Sequence, residues 1–439
     1  MTAFIAPRRL VGRGSQRKSA KSKSATSKSA TSKSGQSTAR RTTSSSRAVP
    51  WSSTPMLLVL TVVVLNIVGV VMVLSASSVS SLTDYGSPWY FFLRQLMWTL
   101  VGIVAFVVGI RIDYRVLRKF VRPLLIVSAV LLVAVLIPGV GVHVSGSRRW
   151  IGAGFLRFQP SELAKLALLL YAADLASRRA REVFDWRRVL KPVLVVLGGF
   201  VLLVMRQPDM GSAIVLGMVT VSVLVASGVR PKHLAAVGVA GVSLMTLLAY
   251  AEPYRRARML TFLHPFSDRT DEGYQIAQSL IAIGSGGWTG VGLGASRAKW
   301  NFLPNAHTDF IFAIIAEELG LLGGLLVLAM FGVFAVLGIR TAARAADRFG
   351  ALLAVGITTW VVGQAIINVG AVCGLLPITG IPLPFISFGG TALVTTMFGV
   401  GVLANIARHG ERASARATAK ASAKAGAKAG ARTTERASA

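Results

Sequence analysis

Apolar runs long enough to cross a lipid bilayer dominate this sequence and constrain its fold more than any other feature. A run can span ~30 Å of hydrocarbon when it supplies roughly 20 helical residues. Backbone polar groups in lipid must be satisfied within the segment, so these runs can only be helices. Ten runs meet this description, at residues 55–77, 91–110, 122–139, 161–177, 189–205, 212–229, 233–251, 310–339, 350–372 and 391–407. The sequence therefore predicts an all-α polytopic membrane protein with about ten transmembrane helices, and it excludes a soluble enzyme. The overlong run 310–339 is interpreted as one tilted helix with a cytoplasmic extension.

The charged residues gather outside these runs. Only 15% of the residues are charged, and the formal net charge of +31 lies largely in the two tails. Residues 1–50 carry twelve Lys or Arg and no acid within serine-rich repeats, which predicts a disordered basic tail. Residues 408–439 form a basic, alanine-rich tail with Lys or Arg at every fourth position. That spacing is compatible with a helix on anionic lipid and with a solvated tail, because like charges four apart repel. A membrane surface accounts for the cationic excess better than nucleic acid does. The single cysteine, Cys373, excludes an internal disulfide.

The loops predict an orientation for the ten-helix membrane domain 51–407. Every second short loop is basic, and both tails fall on that same side. The positive-inside rule then places both termini in the cytoplasm. The large outward loop 252–307, between helices seven and eight, contains a glycine run at 284–294 that we interpret as a tight re-entrant turn. This loop and the outward loop 140–160 carry arginines against the rule, which indicates a phosphate-bearing ligand on the outer face.

Asp309 stands where the large outward loop enters the eighth span. Thr308 has the character of an N-cap, which predicts that Asp309 lies in the first helical turn at the outer boundary. Position alone is compatible with a base facing a polar pocket and with a capping residue. Deeper in this span, Glu317 and Glu318 lie about 80° and about 180° round the helix from Asp309, so they need not share its site. A buried contact between helices is the alternative for Glu318.

Polar residues elsewhere are candidates with open alternatives. Glu162 and Lys165, three residues apart at the start of the fourth span, could form a structural pair or a ligand site. The outward loop 373–390 has three prolines, three glycines and no charge in LLPITGIPLPFISFGGT, which predicts irregular backbone beside a cavity. The sequence contains no histidine or cysteine spacing typical of a metal site, and no phosphate-binding loop.

Four stretches resemble the SEDS family of polytopic cell-wall glycosyltransferases. They are RRWIGAGFLRFQPSELAKLAL, RQPDMGSA, YQIAQSLIAIGSGGWTGVGLGASRAKWNFLPNAHTDFIFAIIAEELGLLG and GLLPITGIPLPFISFGGTAL. They occur in the family's order over roughly residues 145–400, and they resemble the cell-division branch more than the elongation branch. SFGGT stands where many relatives have SYGGS. The resemblance implies the SEDS fold and polymerisation of the lipid-linked disaccharide-pentapeptide lipid II at the outer face of the plasma membrane, at the division septum.

The resemblance also implies roles for individual residues. The family's essential acid corresponds to Asp309, which becomes the expected general base. Lys299, Arg206 and Arg148 are expected to neutralise the leaving pyrophosphate. The remaining residues expected to bind substrate are Trp150, Gln207, His307, Glu162, Lys165 and Ser387.

No cofactor is implied with certainty, although a divalent cation such as Mg or Mn could assist the leaving group. The implied partners are a class B penicillin-binding protein, which is the septal transpeptidase, and other divisome proteins. No nucleic acid is expected. A lipid II flippase and an elongation-type polymerase stay open as alternatives.

Overall fold

The computed structural model describes residues 54–144, 147–153, 156–250, 266 and 271–437 of the chain. The predicted tail 1–50 lies outside these residues. The described helices are α1 (Thr54–Tyr85), α2 (Tyr90–Arg111), α3 (Leu117–Ala134), α4 (Pro160–Arg178), α5 (Lys191–Arg206), α6 (Met210–Ser227), α7 (Pro231–Tyr250), α8 (Asp271–Ser285), α9 (Ile311–Ala343), α10 (Arg348–Val372) and α11 (Gly390–Ala437). The strands are β1 (Gly141–Val144), β2 (Ser147–Ala153) and β3 (Leu156–Phe158).

Each of the ten predicted apolar runs folds as a helix, so the all-α polytopic fold class is confirmed. Among the described residues, seven helical segments are long and apolar enough to cross a membrane, namely α1, α2, α5 with the π-helical turn before it, α6, α9, α10 and α11. Ten crossings and the cytoplasmic placement of the termini stay predictions. The additional helix α8 lies within the predicted outward loop 252–307.

A small antiparallel sheet, which the sequence analysis missed, lies between α3 and α4 in the strand order β1-β2-β3. Val142 pairs with Trp150, and Ile151 pairs with Phe158. Successive side chains of a strand point to opposite faces. In β2 this alternation is interrupted, because the register shifts between Val142 and His143: Arg148 pairs with His143, Trp150 pairs with Val142, and Arg149 is the extra residue of a β-bulge. A bulge re-aims the side chain at its position, and Arg149 is the arginine that approaches the site described below.

The eighth predicted span is not one tilted helix, because α9 is broken at Gly320. Gly320 has φ 70° and ψ −169°, a conformation available essentially only to glycine. A break leaves main-chain donors and acceptors without helical partners, and the turn 286–294 supplies those partners. Four hydrogen bonds do so: Val291 N to Glu317 O (3.0 Å), Gly292 N to Glu318 O (3.1 Å), Leu321 N to Gly287 O (2.9 Å) and Leu322 N to Trp288 O (3.2 Å). The predicted tight turn is thus hydrogen-bonded into the break of α9.

The side chains of Glu317 and Glu318, 2% and 1% exposed, hold the chain that follows this turn. Glu317 accepts hydrogen bonds from Ser296 Oγ at 2.5 Å and from the main-chain N–H of Arg297 at 2.9 Å. Glu318 accepts from Ser75 Oγ of α1 at 2.6 Å, which is the contact between helices that the sequence left open. The two carboxylates therefore connect α1, the break in α9 and the segment that leads to Asp309.

The basic C-terminal segment is helical in the described residues. α11 begins at Gly390 in the last apolar run and continues without interruption to Ala437. Residues 412–422 are exposed. The spacing of four thus places Arg412, Arg416 and Lys420 on successive turns of the helix, about 40° apart around its axis, and contact of these residues with anionic lipid stays a prediction.

Because the turn 286–294 packs into the break of α9, we expect alanine to have different effects at Gly290, within the turn, and at Gly284, just before it. A Cβ on Gly290, which has φ +83°, would lie 2.1 Å from the carbonyl oxygen of Glu318, whereas a Cβ on Gly284 in α8 meets nothing within 4 Å. Gly290→Ala should cost about 2 kcal/mol or more, because both the backbone conformation and the contact are strained. Gly284→Ala should leave stability unchanged or raise it by up to about 1 kcal/mol. Thermal unfolding in detergent measures both, and equal Tm values for the two variants would contradict this packing.

Candidate active site

Asp309 lies in a series of turns immediately before α9. The main-chain N–H of Thr308 donates to the carbonyl of Asn305 at 3.0 Å, and Asn305 itself has φ 57°. α9 begins at Ile311 with Phe310 as its N-cap residue, and no side chain caps it. The prediction that Thr308 caps the helix and that Asp309 lies in its first turn is therefore wrong. The left-handed residue Asn305 folds the chain back, so Thr308 Oγ1 donates to the Asn305 carbonyl at 3.1 Å.

The backbone of Asp309 is held from the side by α10. Asn368 Nδ2 donates to the carbonyl oxygens of Asp309 and Ile381, both at 2.8 Å. Asp309 and Asn368 line a cavity of about 10 Å³, which is room for one water molecule. One amide thus joins the segment before α9 to the loop between α10 and α11.

Gly380 and Arg149 come close to the Asp309 carboxylate. The position of a Cβ on Gly380, which has φ +68°, lies 3.7 Å from Asp309 Oδ2 and 4.0 Å from Arg149 Nη1. Arg149 Nε donates to the carbonyl of Gln207 at 3.2 Å, and its Nη2 donates to the carbonyl of Pro208. These bonds hold the guanidinium on the same side of Gly380 as the Asp309 carboxylate. The sequence analysis selected Arg148, which is exposed.

The connection between α5 and α6 forms the other wall of this site. Asp209 accepts from the main-chain N–H of Ser212 at 3.1 Å and from Gln159 Nε2 at 3.0 Å, and its Oδ1 lies 3.9 Å from Arg149 Nη1. Gln207 is 1% exposed, and its Nε2 donates to the carbonyl of Leu132 at 3.0 Å. The predicted residue Gln207 thus contributes its carbonyl to the cluster around Arg149. The predicted residue Arg206 is exposed at the end of α5.

The other predicted residues on this side hold the loop between α10 and α11. The carbonyl of His307 accepts from the main-chain N–H of Phe388 at 3.0 Å, and its ring packs 4.4 Å from the ring of Phe91. Burial lowers the pKa of His307 to about 4, against a smaller opposing effect of Asp84, so its imidazole is neutral at pH 7. Ser387 Oγ accepts from the main-chain N–H of Leu383 at 2.8 Å within a turn.

Lys299 contacts Gly294 and Glu318, in the region where the turn 286–294 meets the break of α9. It is 7% exposed, and its Nζ donates to the carbonyl of Gly294 at 2.5 Å and lies 3.6 Å from Glu318 Oε1. A lysine in such a buried pair compensates the charge of the acid beside it. The geometry therefore favours a structural role for Lys299 over phosphate binding, for which it was selected, and its contact with substrate stays a prediction.

Glu162 and Lys165 form a buried ion pair at 2.8 Å, with side chains 3% and 1% exposed. Lys165 Nζ also lies 3.3 Å from Gln364 Oε1 of α10, and Thr395 Oγ1 of α11 donates to Glu162 at 3.4 Å. The pair thus links three helices, which favours the structural alternative. A role in substrate binding stays a prediction for both residues.

The structure thus brings together Asp309, Arg149, Asn368 and Gly380, of which the sequence analysis selected only Asp309. Arg149 is directed by the β-bulge in β2, which the sequence analysis did not recognise. The signal for Asn368 was an amide inside an apolar helix, four residues after Gln364 and therefore on the same face. Trp150 lies on β2, where it pairs with Val142 of β1. In the described part of the chain, no three His, Cys, Asp or Glu side chains come together as a candidate metal site.

A carboxylate at the mouth of a helix, held by its backbone, is an arrangement that can accept a proton from a substrate hydroxyl. The loop glycine leaves the carboxylate unobstructed by a side chain at that position. The cavity of about 10 Å³ that Asp309 lines has no room for a sugar, so a carbohydrate would have to reach the carboxylate outside this cavity.

Comparison with curated proteins identifies relatives over most of the chain. A probable peptidoglycan glycosyltransferase FtsW of Geobacter metallireducens is 41% identical over 352 residues, which cover 80% of this chain and 94% of the relative. The stage V sporulation protein E of Bacillus subtilis is 40% identical over 358 residues, or 82% of this chain and 98% of that protein. A probable peptidoglycan glycosyltransferase FtsW of Mycobacterium tuberculosis is 41% identical over 83% of this chain and 70% of its own length.

Solved structures with the same fold are also known. A chain from a study of the structural coordination of polymerization and crosslinking by a peptidoglycan synthase complex superposes with a TM-score of 0.67 at 28% identity, covering 80% of this chain and 97% of that one. The rod shape determining protein RodA of Thermus thermophilus superposes with a TM-score of 0.60 at 27% identity, covering 82% and 97%.

The family model described as a cell cycle protein family of FtsW, RodA and SpoVE matches residues 55–412, which overlap every described span. The match covers the broken helix, the loop that contains Gly380 and the turn that contains Asp309. Together with the relatives of about 40% identity, it confirms the expected resemblance, and the chain belongs to the SEDS family of FtsW, RodA and SpoVE proteins.

Proposed function

We propose that this protein is a peptidoglycan glycosyltransferase that polymerises lipid II into glycan strands at the outer face of the plasma membrane during septal cell-wall synthesis. The names of its relatives support the reaction class, and the FtsW relatives support the division branch. The observation that carries the proposal is the geometry of Asp309, whose backbone is held by Asn368 and whose carboxylate lies beside Gly380 and Arg149.

Asp309 acts as the general base in this proposal. It takes the proton from the 4-hydroxyl of the acceptor sugar while that oxygen attacks the anomeric carbon of the donor. The new glycosidic C–O bond forms as the bond to the pyrophosphate oxygen breaks, and undecaprenyl pyrophosphate leaves with the bonding electrons. A single displacement inverts the configuration, from an α-linked donor to a β-linked glycan.

The leaving pyrophosphate needs cations as its charge grows. The exposed guanidinium groups of Arg148 and Arg206 stay candidates, and Arg149 joins them because it lies beside the acid. Mg²⁺ is usually bound by one or two carboxylates together with substrate phosphates and water. Asp309 could supply one such ligand alongside the substrate's own phosphates, so a divalent cation stays compatible with the residues present.

A class B penicillin-binding protein is the proposed partner. The solved relative that belongs to a peptidoglycan synthase complex supports a partner of this kind. Other divisome proteins and a septal location complete the proposal, and septal rather than lateral fluorescence of the tagged protein would distinguish division from elongation.

A lipid II flippase is the second candidate, and the break in α9 favours it, because transporters often bind substrates at discontinuous helices. The purified protein incubated with lipid II in detergent separates the two functions. Glycan chains formed without a second compartment support the polymerase. Exchange of lipid II between liposome leaflets, without chain formation, supports the flippase.

Asp309→Asn should lower the rate of lipid II polymerisation by at least ~10²-fold, because the amide cannot accept the proton. The variant should insert into the membrane and unfold at the wild-type temperature. Gel analysis of glycan chains made by purified protein provides the measurement. Asp84→Asn, which removes an exposed carboxylate at the end of α1, is the matched control and should stay active. Full activity of Asp309→Asn would rule out the assignment.

His307 should make the protein less stable in acid. Burial lowers its pKa to about 4 from the ordinary 6.5, so the unfolded chain binds more protons than the folded chain between these values. The free energy of unfolding should therefore fall as the pH falls from 6.5 to 4. His307→Gln does not titrate, so its Tm in detergent should fall less than that of the wild type over this range. Parallel loss of Tm in both proteins would contradict the burial of the imidazole.

A further inference from the structure

Two buried amides on α10 hold the loop between α10 and α11. Gln364 and Asn368 are 1% and 2% exposed and lie one helical turn apart. Gln364 Nε2 donates to the carbonyl of Pro382 at 2.9 Å, and Asn368 Nδ2 donates to the carbonyl of Ile381 at 2.8 Å. Polar groups at membrane depth are costly unless they are partnered, and these two are partnered by consecutive residues of one loop. The helix thus carries a short row of donors for irregular backbone.

Asn368 differs from Gln364 because it also reaches the acid. Its second amide hydrogen goes to the carbonyl oxygen of Asp309, again at 2.8 Å. Two carbonyl acceptors at this distance identify the nitrogen of the amide without ambiguity, since an oxygen there could donate to neither. One side chain therefore bridges the segment before α9 and the loop before α11.

The bridge spans the gap in which the carboxylate lies. Ile381 directly follows Gly380, whose Cβ position is 3.7 Å from Asp309 Oδ2. Asn368 therefore holds the backbone on both sides of the contact between the carboxylate and the loop. A change in either bond would alter the distance between the acid and the loop wall.

The amide oxygen of Asn368 makes no hydrogen bond in the described residues, so the two bonds that its nitrogen donates explain why an asparagine occupies this position. Asn368 Oδ1 is buried and has no hydrogen-bond partner among the residues that the structure describes. An unpartnered buried acceptor lowers stability, and leucine would fill a similar volume without that cost. The side chain also lines the cavity of about 10 Å³ beside Asp309, where one small oxygen ligand fits.

We infer that Asn368 is a positioning residue for the reaction, which sets the Asp309 carboxylate against the loop 379–381 through the two main-chain carbonyls it binds. The inference rests on the proposed function, in which Asp309 is the base. Asn368 acts on the chemical step and not on the binding of the lipid substrate. A misplacement of about 1 Å at a reacting group can cost about 100-fold in rate.

The test compares Asn368→Leu with Asn405→Leu. Asn405 is a matched control because it is fully buried and its Nδ2 donates to the carbonyl of Ile110 at 2.6 Å, where α11 packs on the end of α2. Polymerisation of lipid II by the purified proteins gives kcat and KM, and thermal unfolding gives Tm. Asn368→Leu should lower kcat about 10- to 100-fold with KM within about twofold of the wild type. Asn405→Leu should lower Tm by about as much as Asn368→Leu does, but its kcat should stay at the wild-type value.

Asn368→Ser is measured in parallel, because it keeps one short donor and stays informative if the leucine variant does not fold. It should lower kcat with KM unchanged and less strongly than leucine. A kcat that falls only in proportion to Tm in both the Asn368 and the Asn405 variants would overturn the inference. Asp309→Asn in the same assay distinguishes failure of the positioning role of Asn368 from failure of the proposed base. If that variant is inactive while the Asn368 variants keep the wild-type kcat, only the positioning role is wrong, whereas an active Asp309→Asn protein removes the proposed base itself.

Discussion

A break in a membrane helix can persist only if another part of the chain satisfies its free main-chain groups, and this constraint organises the protein around Gly320. The turn 286–294 accepts and donates the missing hydrogen bonds of α9, while Glu317 and Glu318 hold the residues that follow the turn. The chain then runs directly to Asp309. The acid is thus anchored along the chain by the broken helix and from the side by α10, which gives a loop residue the fixed position that chemistry requires.

Buried charges reinforce this frame. The pair of Glu162 with Lys165 links α4 to α10 and α11, and Lys299 lies beside Glu318 at the break. Removing one partner of such a pair leaves an uncompensated charge in a medium that solvates it poorly, so each pair strongly restricts how its helices can pack. The cations near the outer motifs therefore divide into two groups. Lys165 and Lys299 are paired with buried acids, while Arg148 and Arg206 are exposed and Arg149 lies, like the Asp309 carboxylate, close to Gly380.

The helices and the importance of Asp309 could be predicted from the sequence, because hydropathy and run length are local properties and the motif around the acid is distinctive. The break at Gly320 could not be predicted, because a glycine within an apolar run is compatible with an unbroken helix until its contacts with the turn 286–294 are known. Arg149 could not be selected from the sequence, because its direction depends on a bulge in a strand that was not recognised. The pairing of Lys299 with Glu318 could not be predicted either, because the two residues are distant in the sequence and meet only through the turn. Asn368 was missed although its spacing from Gln364 was visible.

If Asp309 is the base, the mouth of α9 must face the outside of the cell, where lipid-linked sugars are polymerised. Cysteine labelling of intact cells tests this directly. In a Cys373→Ser background, Pro304→Cys introduces an exposed thiol in the turns before Asp309, and Ser414→Cys introduces one on the exposed part of α11. A membrane-impermeant maleimide should label position 304 in intact cells and position 414 only after permeabilisation. Labelling of position 304 only after permeabilisation would contradict the account.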